Sequence, residues 1–589
     1  MKPKSFSLIS DGLRRLSLRF LLIFIGTLLL SGCTRLSLSS DADASFEAFT
    51  AQLFQNEVAA STISLHYTLK TPSSYGIDDF PVTYGSFSSN ETAAKASIEN
   101  CIAALHRYDP EGLSAENHLT YDVLDSYLKD ASDGAKYLLY QEPLSPVTGI
   151  HAQLPVLLSE YQFYDVEDAK IYLRLLEETD TYFESLIAFE QKKSKAGLFM
   201  PDYQVDAVTN QCCSFVDMAE ENYLYSTFEE RLESLPDLST SEKEELISQN
   251  KQIIESSIFP AYTYLAGELD SLRGSGQNEQ GLCYLPDGKS YYEYLVEQST
   301  GIHTSISELQ SRTRQQITAD LTAMEKVLFP TAVPSDTASV LEQTAPSSML
   351  NDLRNKIKDA FPAIPSVGLS IKYVPDAMEE YLSPAFYMIP AIDNISENVI
   401  YINRGQTAAG LNLYTTLAHE GYPGHLYQTV YYASTKPDPV RNILDFGGYV
   451  EGWATYSEMM SYYLAPLSKN EALLLQKNSS VLLGLYSLAD MGIHYDGWSL
   501  TDTVSFFKDY GITDINAVKS IYELIVGTPG NYLKYYLGYL EFYDFKKEMS
   551  QMLGEDFSQK AFHQAVLDVG PAPFDIVKEY AKKALLTQN

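Results

Sequence analysis

His419-Glu420-Gly421-Tyr422-Pro423-Gly424-His425 places two histidines and a glutamate within seven residues of a chain that holds nine histidines in all. A hydrolytic zinc site takes three protein ligands and keeps one position open for water. In the familiar H-E-x-x-H arrangement, two histidines four apart share one helical face and the intervening glutamate reaches the metal-bound water. Here the histidines are six apart. On a straight helix that spacing leaves the rings about 120° apart in direction. Pro423 and Gly424 supply an interruption, since proline lacks the N–H that would bond to the His419 carbonyl and glycine tolerates unusual backbone angles. A break there would swing His425 back beside His419. The plainer reading is a helix end whose polar residues cap or hydrogen-bond.

Upstream, Ala408 to Ala418 reads as a helix delivering His419 and Glu420. Before it, Ser383-Pro-Ala-Phe-Tyr-Met-Ile and Asn398-Val-Ile-Tyr-Ile-Asn403 are short aromatic and β-branched runs either side of a turn-rich stretch, and read as a strand pair. Downstream, Tyr449-Val-Glu-Gly-Trp-Ala-Thr-Tyr-Ser-Glu458 offers a third ligand. Glu451 and Glu458, seven apart, lie on roughly one helical face, so either could reach a metal while the other supports it from behind. Their apolar neighbours Val450, Trp453, Ala454 and Met459 argue for burial.

Stabilising an oxyanion needs a donor. Tyr532, Tyr535, Tyr536 and Tyr539 recur at helical spacing; for any single one of them a packed aromatic stripe is the plainer reading. Asp490 and His494, at i and i+4, are a further polar pair, Asp490 suited to stand behind the ligands and His494 to touch substrate. His563, in Ala561-Phe-His-Gln, reads as structural.

From Phe46 to about Leu328 apolar residues recur at three and four, the period of helices, with loops at Tyr84 to Asn90, Gly197 to Pro201 and Gly274 to Gly288. A Pro/Ser/Thr-rich stretch from Pro330 to Ser348 suggests a connection between two lobes. The fold expected is mainly α with one small β-sheet beside the metal helix.

The N-terminus carries Lys2, Lys4, Arg14, Arg15 and Arg19, an apolar run from Phe20 to Leu30, and then Ser31-Gly32-Cys33. That is a secretion signal, and small residues before a cysteine resemble a bacterial lipobox, with Cys33 lipidated as the mature N-terminus. The expected organisation is a signal over 1–32, a linker over 33–45, an N-terminal helical lobe over 46–340 and a C-terminal lobe over 341–589 carrying the site. Removing the signal takes the net charge from −35 to −39. So acidic a chain repels nucleic acid and anionic lipid heads. Its contact with the membrane, on the outer face of the cytoplasmic membrane, would then run through the lipid on Cys33. Cys101, Cys212, Cys213 and Cys283 lack zinc-ribbon spacing and read as one or two disulfides or as buried thiols. Oligomeric state is not legible.

These motifs resemble the bacterial proteins classed as domain of unknown function 885, placed with the glutamate-zincin metallopeptidases. The likeness rests on residues 419–425, on Glu451-Gly-Trp-Ala-Thr-Tyr-Ser-Glu458, on Asp490-Met-Gly-Ile-His-Tyr-Asp-Gly-Trp498, on Phe562-His563 and on Gly570-Pro-Ala-Pro573. Gly197-Leu-Phe-Met-Pro201 and Gly288-Lys-Ser-Tyr-Tyr292 extend it across nearly all of Phe46 to Lys583. A more distant resemblance, in the order of elements, is to peptidases of the angiotensin-converting-enzyme type. These resemblances imply a two-lobed helical body enclosing a cleft, zinc on His419, His425 and Glu451, and Glu420 as general base. They also imply Tyr535 as oxyanion donor, Tyr532 at a substrate carboxylate, and an edge strand at Ala385 along which a short peptide pairs. The chain departs from that pattern at Thr455, where those enzymes often carry an acid. The implied activity is zinc-dependent peptide hydrolysis outside the cytoplasmic membrane; the alternatives are a zinc amidase acting on cell-wall peptides and a lipoprotein that binds peptides without cleaving them.

Overall fold

Helices form where the sequence pairs a cap with an apolar stripe. Val166–Glu177 is one example: Asp165 accepts from the N–H groups of Glu167 and Asp168, Asp168 bonds back, and Ala169, Tyr172, Leu173 and Leu176 face inward at helical spacing. Repeated along the chain, this produces a mainly helical architecture with a single three-stranded sheet in the computed structural model, which describes residues 41–236, 238–328, 341–374, 379, 383–406 and 409–587. Cys33 and the segment before it lie outside the described residues, as does most of the stretch from Pro330. Within that stretch Pro346 opens the helix Pro346–Lys356, a position where proline's missing N–H costs nothing.

The sheet decides how the body divides. β1 (Gly368–Tyr373) runs parallel to β3 (Glu397–Ile402), which pairs antiparallel with β2 (Ala385–Met388), in the order β1-β3-β2. The expected strand pair is thus β2 and β3; β1 is an addition. Because successive strand residues point to opposite faces, Ala385, Tyr387, Ile400 and Ile402 enter one hydrophobic core while Phe386 and Tyr401 enter another. Phe386 and Tyr401, cross-strand partners, stack with ring centroids 4.9 Å apart. The sheet therefore separates two cores.

Those cores do not divide at residue 340. The larger takes Phe46 to Ala135, Tyr292 to Ile317 and the chain from Leu341 to Leu585, whereas the smaller is built mainly from Leu144 to Leu269. The N-terminal helices thus belong to both. Cys101, Cys212, Cys213 and Cys283 are all free thiols, the first two buried.

In the larger core the helices Gly447–Ser461 and Asn531–Leu553 approach so closely that a Cβ on Gly452 would sit 2.4 Å from the backbone of Gly538, and one on Gly538 would sit 2.2 Å from the Gly448 carbonyl oxygen. Only glycine fits there. The contact draws the helix carrying Glu451 and the helix carrying Tyr535 together. Among the described residues no helix is long and apolar enough to cross a membrane.

Candidate metal centre

The helix Leu411–Glu420 stops at Gly421 and a new one, His425–Ser434, starts four residues later. Between them the Gly424 N–H donates to the Ala418 carbonyl at 3.0 Å and the Tyr427 N–H to the Gly421 carbonyl at 3.1 Å, so the chain folds back over the end it has just left. Gly424 is pressed onto that end: a Cβ would lie 1.8 Å from the His419 carbonyl oxygen. Across the break, the Trp453 indole N–H donates to the Pro423 carbonyl at 2.8 Å, tying the detour to the glutamate helix. The result is that the His419 and His425 rings meet, with centroids 4.7 Å apart and planes at 84°.

Glu451 closes the group. Its Oε2 lies 3.5 Å from His419 Nε2 and 3.4 Å from His425 Nε2, while Glu458 Oε2 lies 3.3 Å from the other nitrogen of His419, Nδ1. Geometry thus separates the two candidate carboxylates: Glu451 faces both Nε2 atoms and Glu458 stands behind one ring. Glu420 joins from the same helix, and one ligand atom each from His419, Glu420 and His425 fall within 4.8 Å of one another. Glu420 is itself oriented by the sheet, Oε2 accepting the backbone N–H of Tyr387 at 2.9 Å from the edge strand β2. Ala385, on the same strand, is fully buried and its carbonyl accepts the Ser383 hydroxyl at 3.1 Å.

All of these groups are buried, His425, Glu420 and Glu451 completely. Three carboxylates around two imidazoles in the interior call for positive charge, because an uncompensated buried charge costs several kcal/mol. The electrostatics agree: burial alone would push His419 down, yet Glu451 and Glu458 against its nitrogens raise it to about 10, as expected of a cluster that draws positive charge. His419 Nδ1 and Nε2 are buried with no hydrogen bond of normal geometry. Two imidazoles and a carboxylate are a borderline donor set that suits zinc, and a divalent cation would supply the missing charge. The residues fit the metal.

The remaining sequence candidates fall into two groups. Tyr535 is brought to the centre, its ring 6.3 Å from that of His419 and tilted by 27°. Tyr532, three residues earlier, packs on Tyr486 at 5.0 Å within the buried aromatic stripe. His494 needs correction as a substrate contact: Nδ1 accepts the Leu282 N–H at 3.1 Å and Nε2 pairs with the Ile525 carbonyl at 2.9 Å, so both ring nitrogens serve the backbone. Burial lowers it to about 4, leaving it neutral. Asp490 likewise turns to the fold, accepting from the Tyr292 hydroxyl and the Gly530 N–H. His563 is structural, held between Tyr456 and the Ala360 carbonyl.

Sequence reasoning missed two neighbours. Tyr387 acts through its N–H, which no side-chain motif reports. Lys534 is fully buried with Nζ 5.2 Å from the centre of the Tyr535 ring, and burial pushes its ammonium well below the usual lysine range. A lysine flanked by Tyr532, Leu533, Tyr535 and Tyr536 on a helix was the available signal.

The helical body is shared with known proteins. The profile of the bacterial protein family of unknown function DUF885 matches residues 76–580, and the chain belongs to that family. Two solved structures are similar in fold. One is described as "the putative lipoprotein from Colwellia psychrerythraea", at 18% identity with a TM-score of 0.80, covering 93% of this chain and 100% of that one. The other is a "putative lipoprotein of unknown function" from Shewanella oneidensis, at 18% identity with a TM-score of 0.59, covering 91% of this chain and 98% of that one. No curated protein matches the sequence.

Proposed function

We propose that the protein is a zinc-dependent peptidase, with His419, His425 and Glu451 as the metal ligands. The observation that carries this reading is the pair of buried Nε2 atoms aimed at one carboxylate oxygen, with Glu420 beside them on the same helix. Zinc held there would act as a Lewis acid on the scissile carbonyl and make a water easier to deprotonate.

The chain's own residues do the rest. Glu420, held by the Tyr387 N–H through one oxygen, takes a proton from the attacking water and returns it to the leaving amine nitrogen. Tyr535 donates its hydroxyl hydrogen to the oxygen on which negative charge develops. Glu458 holds His419 so that Nε2 faces inward. The lipoprotein designation of both structural neighbours, with Cys33 following an apolar run, supports anchoring on the outer face of the cytoplasmic membrane.

Digestion of a mixed library of short peptides tests the reading. The zinc-loaded protein should cleave members of the library, and Glu420→Gln should keep its zinc while losing about 10²- to 10⁴-fold in turnover, the size of a general-base contribution. An untouched library, or a variant as active as the parent, would overturn it.

A further inference from the structure

Asp490 lies in the last turn of the helix Lys469–Met491 and is completely buried. One of its oxygens accepts the Tyr292 hydroxyl at 2.5 Å, and both lie within reach of the Gly530 N–H, at 3.0 and 3.1 Å. Tyr292 comes from the helix Gly288–Thr300; Gly530, left-handed at φ 73°, is the residue from which Asn531–Leu553 starts. The first N–H groups of a helix have no partner within it, so whatever holds them fixes where the helix begins. Tyr535 follows within the next five residues. The turn after Asp490 adds to the anchorage, His494 gripping Leu282 on one side and Ile525, near the preceding helix end, on the other.

We infer that Asp490 is a positioning residue for Tyr535: its carboxylate, joined to Tyr292, fixes the start of the tyrosine helix and so where Tyr535 stands against His419. The importance of Tyr535 rests on the peptidase reading, whereas the anchoring does not. Replacement of Asp490 should therefore loosen the start of this helix without disturbing the histidine break.

The anchor is sensitive to pH. Burial pushes the Asp490 carboxyl up to about 7, against the opposite pull of Tyr292 and Gly530. The groups facing it are Tyr292 from one helix, with Asp496 acting on Tyr292, and Tyr532 from another; His494 on its own chain segment stacks on Tyr292 at 5.4 Å and is neutral. None of these supplies a cation to hold the carboxylate ionised. A folded pKa above the ordinary carboxyl range means that the packed state takes up the proton, so protonation relieves the buried charge and the anchor holds more firmly as pH falls through about 7.

Amide hydrogen exchange on the full-length zinc-loaded protein at pH 6 and pH 8, corrected for intrinsic rates, reads this directly. Asp490→Asn should speed exchange over Gly530 to Tyr535 about tenfold or more, the worth of a hydrogen bond to a charged group. Exchange over His419 to Tyr427 and zinc content should stay as in the parent. The parent should exchange over the same residues more slowly at pH 6 than at pH 8, and Asp490→Asn, which has no carboxyl to titrate, should show no such difference. Peptide turnover by the variant should fall in kcat with KM unchanged. Tyr292→Phe should give a smaller effect in the same place, and it carries the test if Asp490→Asn does not fold. Unchanged exchange at Gly530 to Tyr535, acceleration spread evenly over the chain, or local loosening with kcat unchanged would each overturn the inference. A parent that cleaves no peptide would instead remove the peptidase reading and leave the exchange result to decide the anchoring alone.

Discussion

Two clusters of histidine and acid stand in this molecule, and they are built for different ends. At the helix break, His419 and His425 turn two Nε2 atoms toward one oxygen of Glu451, in a setting closed to solvent. At the other, Asp130, Glu297 and His303 also bring ligand-type atoms within 4.8 Å, but at a half-exposed site. There the single imidazole is already spoken for: Nε2 lies 3.2 Å from Glu297 and Nδ1 3.3 Å from Asp575. Hydrogen bonding to Asp575 raises His303 to about 9, so at neutral pH it is an imidazolium bridging two helices. Residue types and distances are alike. Burial, and a second imidazole turned to the same carboxylate oxygen, separate the candidate ligand set from an ion pair.

Changing the group behind each ring sharpens the contrast. Glu458→Gln should weaken zinc binding about 10- to 100-fold, the usual consequence of disturbing the partner of a ligating histidine. Competition with a chelator of known affinity measures it. An unchanged affinity would mean that the Glu458 contact does not orient His419.

His303→Gln should leave zinc untouched and alter only the pH dependence of stability. Its folded pKa stands above the unfolded value of 6.5, so the bridge's contribution is fully present below about pH 6.5 and is lost as pH rises through about 9. Discounted for solvent at a site this open, the effect is about 1 kcal/mol or less. Thermal melts of parent and variant should therefore differ at pH 6 and converge by pH 10. A variant that lost zinc would break the distinction between the clusters.

Much of the geometry of the candidate site was legible because its signals are local. Pro423 and Gly424 cannot continue a helix with His425 on a different face, and the structure shows the detour they impose. The strand pair β2 and β3 was legible for a similar reason, in aromatic and β-branched residues around a turn. β1 was not read, although Leu369-Ser-Ile-Lys-Tyr373 alternates apolar and polar residues; its partner lies 29 positions away and only pairing makes it a strand. The division into cores was hidden, because it depends on which face of each strand points where and not on composition. His494 shows the same limit: a polar pair at i and i+4 looks identical whether it meets substrate or, as here, the backbone of Leu282 and Ile525. The four cysteines, free in the fold, kept no trace of their pairing state in their spacing.

Metal analysis of the purified protein decides whether the buried cluster is the zinc site proposed above. One zinc per chain is expected in the parent and its loss in His419→Ala, with His303→Gln retaining the full amount. A parent without stoichiometric zinc, or a His419→Ala variant whose metal content is unchanged, would contradict it.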